Sequence, residues 1–102
     1  MYLHVGQNTT LTLNEIIGIF DLDNTTVSKR TKKYLEKAEK QQRILNVATD
    51  IPKSFIVVSD EEKIDKIYLS QISPTTLEKR ASFMDSLINS NYNESAGKKS
   101  DE

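Results

Sequence analysis

The chain contains no cysteine, which excludes disulfides, a thiol nucleophile and any thiolate metal site. It has a single histidine, His4, and one imidazole supplies too few ligands for a metal centre. His4 also sits in a short apolar stretch, where it reads as a strand residue before it reads as a catalytic one. No apolar run approaches the length of a membrane span, and the first residues lack the basic start and apolar core of a secretion signal. These absences predict a cytoplasmic protein without a membrane partner, in which the Asn-x-Ser/Thr triplets at Asn8, Asn24 and Asn93 stay unglycosylated. A dominant charge is missing too. The formal net charge is −1, so bulk electrostatics gives no general attraction to nucleic acid, and any attraction must come from how the charges are arranged.

What is present fits one small domain. A chain of 102 residues has room for one modest core and leaves roughly a third of its unfolded surface exposed after folding, which makes self-association plausible on size alone. Tyr2 to Val5, the turn Gly6 to Asn8 and the alternation from Thr10 to Leu13 predict a hairpin. Ile16 to Leu22 is a denser apolar run, read as a buried central strand, and Asp23 and Asn24 end it with turn chemistry. A helix follows, capped by Thr25 or Thr26, with Val27, Thr31, Tyr34, Leu35 and Ala38 on its core face and Gln41 and Gln42 at its close. Ile44 to Val47, Ser54 to Ser59 and Lys66 to Ser70 are short strands, with Asp50-Ile51-Pro52 breaking the chain between the first two. Ser73 and Pro74 open a second helix that sets Leu77, Ala81, Met84, Leu87 and Ile88 along one face and leaves Phe83 off it. From Asn91 the composition turns to Asn, Ser, Gly and charge, which predicts a disordered tail over 91–102 after a single domain over 1–90. The fold class expected is α+β: a small, mostly antiparallel sheet with one internal and one C-terminal helix.

Two patterns bear on function. Ile17 to Thr25 reads I-G-I-F-D-L-D-N-T and resembles the first motif of the haloacid-dehalogenase-like phosphatases. That resemblance would make Asp21 the nucleophile and Asp23 the acid/base, with Thr25 steadying the loop and magnesium on the phosphate. The same residues also make an ordinary turn between strand and helix. The chain is too short for the large parallel sheet of that family and lacks its paired downstream acids. No catalytic residue and no cofactor are therefore assigned. The acids Asp60, Glu61, Glu62 and Asp65 are read as a solvated loop, since a hard-cation site needs converging oxygens.

The second pattern is a basic helix. Lys29, Arg30, Lys32, Lys33, Lys37, Lys40 and Arg43 are half of the chain's 14 basic residues, against only Glu36 and Glu39 in the same stretch. Such a face can neutralise several phosphates with little sequence preference. It is also the composition of a well-solvated helix surface, because Lys and Glu are good helix formers. No aromatic pattern of the RNA-binding kind is interleaved with the charges.

A further resemblance covers residues from about 1 to 80 in order. It is carried by Met1-Tyr2-Leu3-His4-Val5-Gly6, Ile16 to Asp23, Lys37-Ala38-Glu39-Lys40, Val47 to Asp50, Pro52 to Val57, Tyr68-Leu69-Ser70 and Ile72 to Arg80. These segments are similar to the extracellular-matrix (biofilm) regulator family, in its RemB (YaaB-like) branch. The resemblance implies a homo-oligomer: the related RemA branch forms closed rings whose arginines bind DNA upstream of matrix genes and activate transcription. It implies double-stranded DNA as partner and no small-molecule substrate. RemA-type chains carry an Arg pair in the loop before the strand that matches Phe55 to Val58, and a further Arg near Asn14. Here that loop reads Thr49-Asp50-Ile51-Pro52-Lys53-Ser54, with Lys53 its only cation and Asp50 an opposing charge. Two expectations stay open: a ring-forming DNA-binding regulator with phosphate contacts from Lys29, Arg30, Lys32, Lys33 and Lys53, or a non-catalytic scaffold or partner subunit without DNA binding.

Overall fold

A computed structural model of the chain describes residues 1–22 and 28–96, excepting the side chains of 85, 86 and 88–96. Strand β1 (Tyr2–Gly6) pairs antiparallel with β2 (Thr9–Thr12). A single 3-10 turn (Leu13–Glu15) leads into β3 (Ile16–Asp21), followed by helix α1 (Lys29–Lys40) and β4 (Ile44–Asn46). The antiparallel pair β5 (Ser54–Ser59) and β6 (Asp65–Ser70) and helix α2 (Pro74–Ala96) complete the chain. The hairpin is one sheet, and the other four strands form a second in the order β3-β5-β6-β4, antiparallel except between β4 and β6. This is the α+β architecture that the element pattern predicts.

Period-2 alternation explains how the layers meet. Leu3 and Val5 of β1 and Leu11 of β2 point inward, onto Ile56 and Val58 of β5 and Leu77 of α2. The other side of β5, Phe55 and Val57, meets Ile67 of β6 and Ala38 of α1, with Tyr34, Leu35, Ile44 and Leu69 around them. The four-stranded sheet therefore has the hairpin and α2 on one face and α1 on the other. Because β5 serves both layers, Phe55 to Val58 are all buried.

Hydroxyls tie the two sheets together. The β1 bulge between His4 and Gly6 leaves Val5 without a partner on β2. The fully buried Ser70 supplies one: its Oγ donates to the Val5 carbonyl at 2.5 Å and accepts from Ile72 N at 3.0 Å. Ser54 Oγ donates to the Ile72 carbonyl at 2.8 Å. Gly6 is required by close approach, since a Cβ there would run into the Val47 carbonyl oxygen and lie 3.0 Å from Val47 Cγ2.

Three expectations are corrected. Strand β3 is an edge strand, not the buried central one, and Ile17 and Phe20 on it are 59% and 45% exposed. The central strand is β5. Apolar density cannot separate a central strand from an edge strand that carries apolar residues on both sides. Helix α1 is capped by Ser28, whose Oγ accepts from Thr31 N at 3.1 Å. That places the helix start after Thr25 and Thr26; these two, with Asp23, Asn24 and Val27, lie outside the described residues. Leu87, expected on the core face of α2, is 39% exposed, while Leu77 is fully buried. The start of α2 is as read, with Ser73 Oγ accepting from Thr76 N at 3.2 Å and Pro74 opening the helix. The helix continues to Ala96, past the Asn91 at which composition marks a tail; 97–102 lie outside the described residues.

Candidate nucleic-acid interface

The core face of α1 is set by Thr31, Tyr34, Leu35 and Ala38, which recur at three- and four-residue steps. That leaves Lys29, Arg30, Lys32, Lys33, Glu36, Lys37, Glu39 and Lys40 exposed. On a helical projection Lys29, Lys33, Glu36 and Lys40 stand most directly opposite the buried stripe. Lys32 lies on the flank that also carries Glu39, and Arg30 and Lys37 on the other flank, where Arg30 lines a groove beside β3.

The ends of the helix differ in their electrostatics. Lys37 and Lys40 in the last turn complement the helix dipole. The first turn has no acidic residue and begins Lys29-Arg30-Thr31-Lys32. Cations there oppose the dipole at a cost of roughly 0.3–1 kcal/mol each when exposed.

Arg43 is not part of this face. Its Nη1 donates to the Asp65 carbonyl at 2.8 Å, its Nε to Gln41 Oε1 at 2.7 Å, and the guanidinium lies 5.9 Å from the Tyr34 ring centroid. Tyr34 in turn donates to Asp65 Oδ2 at 3.1 Å. Burial pushes the Tyr34 hydroxyl above its usual pKa, and the bond to the Asp65 carboxylate adds to the shift. Arg43 therefore locks the end of α1 to the start of β6, a role its place in a basic run does not reveal.

Lys53 stands on a different element from the other four cations. Its carbonyl accepts from Leu22 N at 2.9 Å and its N–H donates to the Ser70 carbonyl at 2.8 Å, which pins the residue where β3 ends. Its exposed side chain lines a depression of about 380 Å³ together with Asp50, Ile51 and Gln71. Gln71 Oε1 accepts from Thr49 N at 2.6 Å and from the Thr49 hydroxyl, so the loop is held to the end of β6. The structure thus groups Lys29, Arg30, Lys32 and Lys33 on one helix and sets Lys53 in a braced loop of mixed charge.

The other candidates are placed as follows. His4 is exposed on β1, with Nε2 2.6 Å from the Gln7 carbonyl. No group of three or more His, Cys, Asp or Glu that could hold a metal ion occurs among the described residues. Asp21 closes β3 at the sheet edge, opposite Ser54 in an antiparallel pair. The phosphatase motif instead needs its strand within a parallel sheet, and its remaining members Asp23 and Thr25 lie outside the described residues. No described helix is long and apolar enough to cross a membrane.

Residues 2–81 match the family model described as extracellular matrix regulatory protein A-like, or RemA-like. The chain belongs to the RemA-like family. It is also similar to extracellular matrix regulatory protein B of Bacillus subtilis (strain 168), with 32% identity over 84 residues, covering 82% of this chain and 94% of that protein. Family membership sets the chain among regulators of the extracellular matrix. The matched region includes the whole sheet, α1 and the first turns of α2, and ends before Phe83.

Proposed function

We propose that this RemA-like chain is a homo-oligomeric, ring-forming, DNA-binding regulator of extracellular-matrix gene expression that acts in the cytoplasm. The observation that carries the proposal is the start of α1, where Lys29, Arg30, Lys32 and Lys33 are exposed and the first turn holds no acidic residue. Backbone N–H groups and the positive end of the helix dipole add to these cations, so a phosphate meets a convergent positive field. Lys53 offers a further phosphate contact from the loop before β5. Contacts of this kind position a duplex without reading its bases, so affinity depends steeply on salt and weakly on sequence. Repetition around a ring turns a weak patch into strong overall binding, because every contact after the first is intramolecular.

The test compares the parent with a variant carrying Lys29→Ala, Arg30→Ala, Lys32→Ala and Lys33→Ala, titrated into labelled duplex DNA at low salt. The proposal expects the parent to bind and the variant to lose at least tenfold in affinity while keeping its oligomeric mass. A parent that forms a closed oligomer yet ignores DNA would make it a scaffold or partner subunit. The loop observation favours that second reading: Asp50 lies beside Lys53 in the same depression, so the loop brings no net positive charge.

A further inference from the structure

The cationic start of α1 has an acid beside it. Asp65, half-buried at the start of β6, lines the same groove as Arg30 and Tyr34. Arg30 and Tyr34 are four residues apart, so their side chains are neighbours on one side of α1. A guanidinium and a carboxylate in one groove can pair, and the fork of an arginine fits both carboxylate oxygens. They do not pair here. Asp65 Oδ2 accepts from the Tyr34 hydroxyl at 3.1 Å, and among the described residues the Arg30 guanidinium has no hydrogen-bond or ion-pair partner.

Two residues keep the acid where it is. Tyr34 takes the carboxylate, and Arg43 fixes the backbone that carries it. Arg43 Nη1 donates to the Asp65 carbonyl at 2.8 Å, and the Arg43 carbonyl accepts from Ile67 N at 2.9 Å. Arg43 is itself oriented by its bond to Gln41 Oε1 at 2.7 Å and lies 5.9 Å from the Tyr34 ring centroid. Tyr34, Arg43 and Asp65 are all half-buried, whereas Arg30 is exposed. A hydrogen bond to a charged group in a half-buried place outweighs an ion pair with an exposed arginine, which solvent screens. The phenol therefore holds the carboxylate, and the Arg30 guanidinium is left to solvent.

We propose that Tyr34 and Arg43 are positioning residues that hold the Asp65 carboxylate off Arg30 and so leave its guanidinium free for a DNA phosphate. The inference rests on the DNA-binding reading above and deepens it. Neither residue touches the duplex, yet both set the effective charge of the α1 face. In an oligomer the face repeats, so one cation lost per subunit is multiplied by the number of subunits engaged.

The experiment measures the slope of log K against log salt for duplex DNA, using the full-length parent and four variants. These are Arg30→Ala, Tyr34→Phe, the two combined, and Tyr34→Phe combined with Asp65→Asn. Circular dichroism with a thermal melt confirms that each is folded at the temperature of the titration. Tyr34→Phe keeps every charge of the chain, yet it is expected to flatten the slope toward that of Arg30→Ala, by as much as about 0.9 for each engaged subunit. Adding Arg30→Ala to Tyr34→Phe is expected to flatten it little further, because the released carboxylate has already neutralised that cation. Asp65→Asn in the Tyr34→Phe background is expected to restore the slope, since an amide has no charge to pair with Arg30. A purely structural role for Tyr34 would lower the melting temperature and leave the slope unchanged, which overturns the inference. A flattened slope that Asp65→Asn does not restore also overturns it, because the acid would then not be the intermediary. A parent that ignores DNA at low salt would overturn the DNA reading and this inference together, whereas a binding parent indifferent to Tyr34→Phe overturns this inference alone. If Tyr34→Phe fails to fold, Arg43→Lys is read in the same way, because it keeps the charge and cannot bond Asp65 and Gln41 together.

Discussion

Replacing Ser70 by alanine removes a single oxygen and tests how the two sheets are joined. Ser70 is fully buried, and its Oγ serves two backbone groups: the Val5 carbonyl at 2.5 Å and Ile72 N at 3.0 Å. The Val5 carbonyl lies in the buried core and has no β2 partner residue, so removing its donor costs about 1–3 kcal/mol. Ile72 is only half-buried, and water can replace part of its missing bond, which adds roughly 0.5–1 kcal/mol. The expected total is about 1.5–4 kcal/mol. With a urea dependence of roughly 1.5 kcal/mol per molar, typical for a small domain, the unfolding midpoint should fall by about 1–2.7 M. Ser54→Ala frees one carbonyl, that of Ile72, and should cost only about 1 kcal/mol. The assay is urea unfolding followed by circular dichroism at one fixed protein concentration, since association raises apparent stability. A Ser70→Ala midpoint within 0.3 M of the parent (roughly 0.5 kcal/mol at that slope), or a larger loss for Ser54→Ala, would refute the reasoning.

Gly6→Ala should destabilise the fold by about 2 kcal/mol or more, because the new methyl meets the backbone carbonyl of Val47, which cannot swing aside; thermal melts measure it. Gly18→Ala should displace the Phe20 ring from Phe55 at a cost of only about 1 kcal/mol, since the half-exposed ring can move. Tyr34 gives a pH prediction. Its pKa in the folded chain is raised above the ordinary 10.0, first by burial and then by the bond to Asp65. The neutral phenol is therefore favoured by folding, and its contribution is fully present below pH 10 and lost as pH rises through the folded pKa. Urea midpoints taken from pH 9 upward should fall less steeply for Tyr34→Phe than for the parent.

Much of the fold is legible because local pattern and tertiary role agree. Alternation in Leu3, Val5 and Leu11 marks the buried side of the hairpin, the repeat of Tyr34, Leu35 and Ala38 marks the core face of α1, and Ser73-Pro74 marks the start of α2. The basic helix is equally visible, and its cations do lie on exposed surface. What sequence hides depends on contacts between distant residues. Ser70 and Val5 meet across 65 positions, and nothing local separates Ser70 from any other strand-end serine. Arg43 reads as one more cation until its bonds to Asp65 and Gln41 draw it into the packing. The position of β3 at the edge depends on strand order, which periodicity does not encode. For the same reason the open groove beside it has no trace in the sequence.

The most direct test of the central claim, that the α1 face grips phosphates, is the slope of log K against log salt for duplex binding. For the parent, affinity should fall steeply as salt rises. Removing Lys29, Arg30, Lys32 and Lys33 together should flatten the slope by about 0.9 for each phosphate no longer neutralised, or roughly 3 to 4 for each subunit engaged. A slope that stays the same in the variant would contradict the account and place the DNA contacts, if any, on another surface.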